Sequence, residues 1–457
     1  MKRILILCGL ISMCLLPPTL TYAQQQDDPL WVKRLAEAKA LAKQEGLPVN
    51  PADLPKPPFP PSQNALIYVK QFLDILRTKP LKSEEQRFMQ GDMLTRDKPA
   101  PKEVGLAKSV VLKRPDIANV VEKAVSCPYY DRGRDWLNGF PLFSDNGAQR
   151  NIARWIAART RLLVAEGQYV DAVMNQARGL KWAHISEGLY PTSISLLSAY
   201  AIQDGQVDAM RELLAVAGGK SGVAKAVVEC ISKAEQPTLF AKAIPADTVT
   251  NLLVFRSMRQ AFSKETNPKK TLEESLGGRK LNWDKYYYSA KPKLIVERLF
   301  NANEANYINL QRANYRLATK APLLPKSAVM LTEQKSEQHY DDPDFVWANM
   351  VTPTSIYNRI HLRMVANYRI LEVSAQALAW KVKHDAFPAS LKEVVSSIPL
   401  DPFDGKPLRY RLILSHILRC RLHTRLPLGS VLGRKFLCFC RTLQKTGRCS
   451  MQTDWAY

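Results

Sequence analysis

Near the C-terminal end of the chain, Val365, Tyr368, Leu371, Ala375, Leu378 and Val382 follow one another at intervals of three and four. That spacing holds an apolar stripe on one side of a helix, and such a stripe is stable only where another apolar surface covers it. The period returns in Trp31, Leu35, Ala38 and Leu41, and again in Ala65, Leu66, Val69, Phe72, Leu73 and Leu76. Further helices are expected over 222–234, 246–264, 291–317 and 350–384. With only 20 Gly in 457 residues, and Ala, Leu, Lys, Gln and Glu recurring throughout, helix is favoured over sheet. The expected class is mainly α, built from stacked antiparallel helical hairpins.

The pattern is most regular between Gly147 and Ala234. Glu166-Gly167 reads as a tight turn between two helices, and Asp204-Gly205 reads as a second. Val170-Asp171-Ala172 after the first is echoed by Val207-Asp208-Ala209 after the second. A repeat of this length suggests hairpins that each bury an apolar face on the next. The stretch "EGQYVDA" resembles the turn of tetratricopeptide repeats, although the Trp and Pro marks of that repeat are missing.

Proline sets the boundaries. Seven of the residues from Pro48 to Pro61 are proline, so this stretch runs extended as a strap or spacer. Residues 318–345 mix Pro with charge and read as a linker. The expected divisions are a signal peptide (1–23), an N-terminal helix and strap (24–61), a hairpin domain (62–317), the linker (318–345), a helix-turn-strand module (346–411) and a tail (412–457).

At the start of the chain, Lys2 and Arg3 precede an apolar run from Ile4 to Leu16, then Pro17-Pro18 and the small Ala23. That is the form of a secretory signal peptide, and the run is shorter than the roughly 20 residues that span a bilayer. The protein is therefore expected to be periplasmic or extracellular, an uncleaved anchor being the alternative. Export alters the meaning of the cysteines. Cys127 and Cys230 remain after the two in the signal and the four near the C-terminus. In an oxidising compartment they are a candidate disulfide, and two separately buried thiols are the equal alternative.

The charge balance, 65 Lys and Arg against 42 Asp and Glu, gives a formal +23. Outside the cytoplasm a basic surface meets anionic envelope polymers or lipid headgroups sooner than nucleic acid. The expected partners are proteins, such polymers or the membrane surface.

Motifs for chemistry are sparse. "AGGKSG" (217–222) resembles the end of a phosphate-binding loop but lacks the first Gly, where Leu214 stands, and follows a helix. His339, Asp341, Asp342 and Asp344 in "HYDDPD" bring metal-ligand types together. A solvated acidic turn before a helix explains them more simply. No cofactor is expected and no catalytic residue is singled out. A non-catalytic binding scaffold is the first expectation, with an exported hydrolase or metal-dependent enzyme as the alternative.

In their order along the chain, "EGLP" (45–48), Asn64-Ala65, Cys127, Asp135-Trp136, "RNIAR" (150–154), "AEGQY" (165–169) and "DPFDGKPLRY" (401–410) resemble a group of exported helical bacterial proteins. That resemblance implies no activity. Phe387-Pro388, Ser390-Leu391 and Asp401-Pro402-Phe403, with Gly405 and Pro407, are similar to the C-terminal half of the type II secretion major pseudopilin. The second resemblance implies a helix, a turn and a strand. Ala386 replaces the family's Gly, and the prepilin leader is absent.

A strand from Leu408 needs a partner for its backbone groups. The residues that follow carry four cysteines, one acid and no sustained period, so no partner strand is expected. A shift of reading frame near residue 411 accounts for that change of character, a cationic membrane-binding tail being the alternative.

Overall fold

A computed structural model describes residues 29–90, 100–132, 145–234, 237–276, 278, 280–283, 292–320, 343–346, 354–413 and 417–421. The protein is mainly helical. The first five helices are α1 (Pro29–Gln44), α2 (Leu66–Thr78), α3 (Ser83–Gln90), α4 (Pro101–Val111) and α5 (Pro115–Ser126). The middle of the chain forms α6 (Asp145–Ala165), α7 (Tyr169–Glu187), α8 (Ser193–Ala217) and α9 (Val223–Lys233). Then come α10 (Ala243–Phe262), α11 (Pro268–Ser275), α12 (Pro292–Lys320) and α13 (Thr354–His384).

These helices enclose two large apolar cores. The first gathers residues such as Val69, Phe72, Val121, Ile152, Trp155 and Trp182. It is assembled from neighbours in the chain: α2 packs on α5, α4 on α6, and α6 on α7. The second gathers Leu35, Tyr200, Leu213, Val227, Phe300 and Leu371, which come from distant parts of the sequence. It closes because α12 packs against α1, and α13 against α8 and α9. The N-terminal helix is thus an integral wall of the second core, not a separate leader to the hairpin domain.

Helix α7 serves both cores, sending Val173 and Leu180 into the second and Trp182 and Ile185 into the first. Gln149 on α6, Gln176 on α7 and Gln203 and Gln206 on α8 are buried polar side chains. A Cβ at Gly179 would meet the Gln206 side chain on α8, which would have to shift.

The turn at Gly167 has the expected form. Its φ of +77° lies in the left-handed region that suits glycine, and Gln168 N–H donates to the Leu163 carbonyl at 2.8 Å, closing α6. The second turn does not form. Gly205 lies inside α8, which runs unbroken from Ser193 to Ala217. Leu196, Ala199, Gln203, Val207, Met210 and Leu214 are all buried along it, and this continuous face outweighs the roughly 1 kcal/mol that an interior Gly costs. Asp204 binds α13 instead: its carboxylate accepts from Asn367 at 2.9 Å and from Arg363 at 3.1 Å.

The expected strap lies against the helices, and residues 321–342 of the expected linker lie outside the described residues. Helix α12 continues to Lys320, and the turn Pro343–Phe345 packs back on it with Asp344 buried. The strap is pinned along its length. Arg256 donates to Asn50 at 2.9 Å, Leu54 packs with Val249, Tyr190 donates to the Pro55 carbonyl, and Phe59 stacks on Tyr129 with ring centroids 5.6 Å apart.

After α13, Asp385 turns the chain with φ +51°. Leu391 and Leu408 fold back on Ile370 and Val373 of that helix in a small third core, and Tyr410 donates to the Pro388 carbonyl at 2.7 Å. The strand does have a partner, contrary to the expectation. Strand β1 (Arg409–Ile413) pairs antiparallel with β2 (Ile417–Arg421), Arg409 opposite Arg421 and Ile413 opposite Ile417. The short link lets the chain return at once and satisfy the backbone groups of β1. No described helix is long and apolar enough to cross a membrane.

Candidate functional site

His339, Asp341 and Asp342 lie outside the described residues. Asp344 is buried, and its backbone carbonyl accepts from Asn306 Nδ2 at 2.9 Å, a contact that anchors its turn on α12. Among the described residues no group of three metal-ligating side chains occurs.

Cys127 and Cys230 are free, buried thiols. Cys127 belongs to the first core, where Sγ donates to the Lys123 carbonyl at 3.3 Å. Cys230 belongs to the second, with Sγ 3.6 Å from Met174 Sδ. The bridge between them is therefore not formed, and the alternative of two separate thiols is the one observed. Burial pushes both thiols up, away from the reactive thiolate.

A small cleft of about 20 Å³, partly open to solvent, lies where α7 ends and α8 begins. Its walls are Tyr130–Arg132, Glu187–Tyr190, Thr192 and Ser195. Local chemistry explains each wall. Gly188 ends α7 with φ +89°, so the chain passes against Tyr130, whose carbonyl accepts from Leu189 N–H at 2.8 Å. Thr192 and Ser195 cap α8 reciprocally: Thr192 Oγ1 accepts from Ser195 N–H at 3.2 Å and Thr192 N–H donates to Ser195 Oγ at 2.8 Å. Asn64 brackets the other wall, donating to the Asp131 carbonyl at 2.6 Å and accepting from its N–H at 2.9 Å.

Glu187 is 3% exposed and accepts from Gln203 Nε2 at 3.0 Å. His184 Nδ1 stands 3.4 Å from its carboxylate. Burial pushes the Glu187 carboxyl up, with His184, Thr238 and Gln203 pulling the other way. Arg132 pairs with Asp145 at 2.8 Å and donates to Asn146 Oδ1 at 2.6 Å. Burial pushes the Asp145 carboxyl up to about 6.

Behind the cleft the polar chemistry continues inward. Tyr200 donates to the Thr238 carbonyl and stands 3.4 Å from His361 Nδ1. Burial pushes the His361 imidazole down to about 4. Asp247 accepts from Ser193 N–H at 3.0 Å and from its hydroxyl at the head of α8, and burial pushes its carboxyl up to about 6.

Glu187 is not among the residues singled out in the sequence. The signal was present in the three-residue step from His184 to Glu187, which sets both on one helix face. Tyr130 and Arg132 gave no such signal, since they reach the cleft through an irregular segment. No protein-family model, curated protein or solved structure matches the chain.

Proposed function

We propose that the protein is an exported, non-catalytic binding scaffold of the cell envelope, holding a protein or an anionic surface polymer. The observation that supports this most is how the ionisable groups around the cleft are engaged. Glu187 is tied to Gln203, joining α7 to α8, and Asp145 to Arg132, joining α6 to an irregular segment, so each carboxylate already has a structural partner. The excess of basic over acidic side chains supplies the attraction for an anionic partner.

One observation favours the alternative of an exported hydrolase. Glu187 is a buried carboxyl with a raised pKa beside a histidine at the edge of a cleft, which is an arrangement suited to proton transfer. A single substitution separates the readings. The scaffold reading expects Glu187→Gln to bind anionic polymer as the parent does, with retention that weakens as salt rises. Turnover of peptide, ester or glycoside probes by the parent, lost in Glu187→Gln, would replace it with the enzymatic one.

A further inference from the structure

Several carboxylates among the described residues hold one or two basic side chains. Glu122 takes both Arg159 and Arg178, Glu45 takes Arg312 and Arg316, and Asp204 takes Arg363. Arg150 and Arg154 on α6 have no ion pair among the described residues, as is true of many described basic side chains, but these two are set together. They stand four residues apart, the spacing that makes side chains neighbours on a helix face. Their hydrogen bonds are to uncharged groups of their own helix: Arg150 Nε donates to the Asn146 carbonyl at 3.4 Å, and Arg154 Nη1 to Asn151 Oδ1 at 2.9 Å. Arg150 is exposed and Arg154 half-buried.

Two adjacent like charges on a helix are destabilising, and partial burial sharpens the repulsion. For Arg154, desolvation is the larger effect and the positive charge of Arg150 adds to it, both drawing its pKa down. Each guanidinium has donors beyond the one its asparagine partner uses. Paired forks of this kind match the oxygens of a phosphate group, where charge-assisted hydrogen bonds are strongest.

The geometry points to Arg150 and Arg154 as a joint binding site for the phosphate oxygens of an anionic polymer. The site deepens the scaffold reading, on which it rests, by locating the contact on α6, one turn beyond the Asn146 that Arg132 of the cleft wall binds. A bound phosphate converts the repulsive pair into a bridged one, so the free protein carries a local cost that the ligand removes.

The test uses inorganic polyphosphate as the probe and the full chain as the protein. Binding is measured by titration, and thermal unfolding is followed with and without the probe. Arg150→Gln/Arg154→Gln is expected to bind at least about tenfold more weakly and to lose the rise in Tm on adding polyphosphate. Its own Tm without probe is expected to equal or exceed the parent's, because a repulsion has gone. Arg154→Lys, which keeps the charge and loses the fork, is expected to fall between. Lys33→Gln/Arg77→Gln removes two positive charges that are partnered by Glu37 and Asp74, and is expected to bind within about twofold of the parent.

Equal binding by the Arg150/Arg154 variant overturns the site and leaves the scaffold reading standing. Equal weakening by both double variants also overturns it, since net charge alone would then be at work. Failure of the parent to bind polyphosphate removes the site together with the anionic-polymer form of the scaffold reading.

Discussion

The two large cores are made from similar side chains by opposite routes. The first is local: helices α2 to α7 meet partners a short way along the chain, so each contact closes a short loop. The second draws α1 from one end and α12 and α13 from the other onto α8 to α10. Equal burial therefore does not mean equal dependence on the rest of the chain. The first core should outlast the loss of a distant helix, and the second should not.

The largest effects come from large-to-small substitutions in each core. Trp182→Ala removes a fully buried indole, whose Nε1–H donates to the Gln149 carbonyl at 2.9 Å. It should cost about 3–5 kcal/mol. Leu371→Ala, equally buried in the second core, should cost about 2–5 kcal/mol. Hydrogen exchange is the decisive measurement. In Leu371→Ala the amides of α1, α12 and α13 should exchange faster while those of α2 and α5 keep their protection. Uniform acceleration across both groups would show that the two cores melt as one.

Glycine variants give the next size of effect. Gly167→Ala forces a side chain into a left-handed turn and should destabilise by about 1 kcal/mol or somewhat more. Gly205→Ala should stabilise by up to about 1 kcal/mol, since its Cβ would meet nothing within 4 Å on a continuous helix. Loss of stability in Gly205→Ala would restore a turn at that position.

Acid–base effects are smaller and oppose one another in the second core. Asp247, raised to about 6, holds its proton longer when folded than the usual value near 3.8 allows. Its contribution therefore falls as pH rises from about 4 to 6. His361, lowered to about 4 from 6.5, takes up its proton more readily when unfolded, so its contribution rises over the same interval. Denaturant titrations should show Asp247→Asn gaining stability with pH relative to the parent between pH 4 and 6, and His361→Gln losing it. The least change of all is expected from reductant. With both thiols free, Tm should not move, and a fall of several degrees would reveal a bridge.

Helical class, the Gly167 turn and the α13 stripe were legible because each is a local matter of spacing and backbone freedom. Five of the six stripe residues in α13 are buried, and only Val382 remains exposed. Gly205 was misread because its fate depends on α13 receiving Asp204, which no neighbouring residue announces. The missing strand partner was misread for a related reason: antiparallel pairing follows backbone register, and the composition after Arg411 carries no alternation to reveal it. The cleft was the least legible feature. Tyr130, Arg132 and Glu187 meet only because Asn64 and Gly188 steer irregular segments together.

The clasp between α1 and α12 has a consequence for the order of events during synthesis. Trp31 and Leu35 emerge early, yet the helix that shelters them is completed only at Lys320. For most of translation that greasy face has nothing of its own to rest on, which makes it a natural handhold for a chaperone. What leaves the ribosome early is finished late.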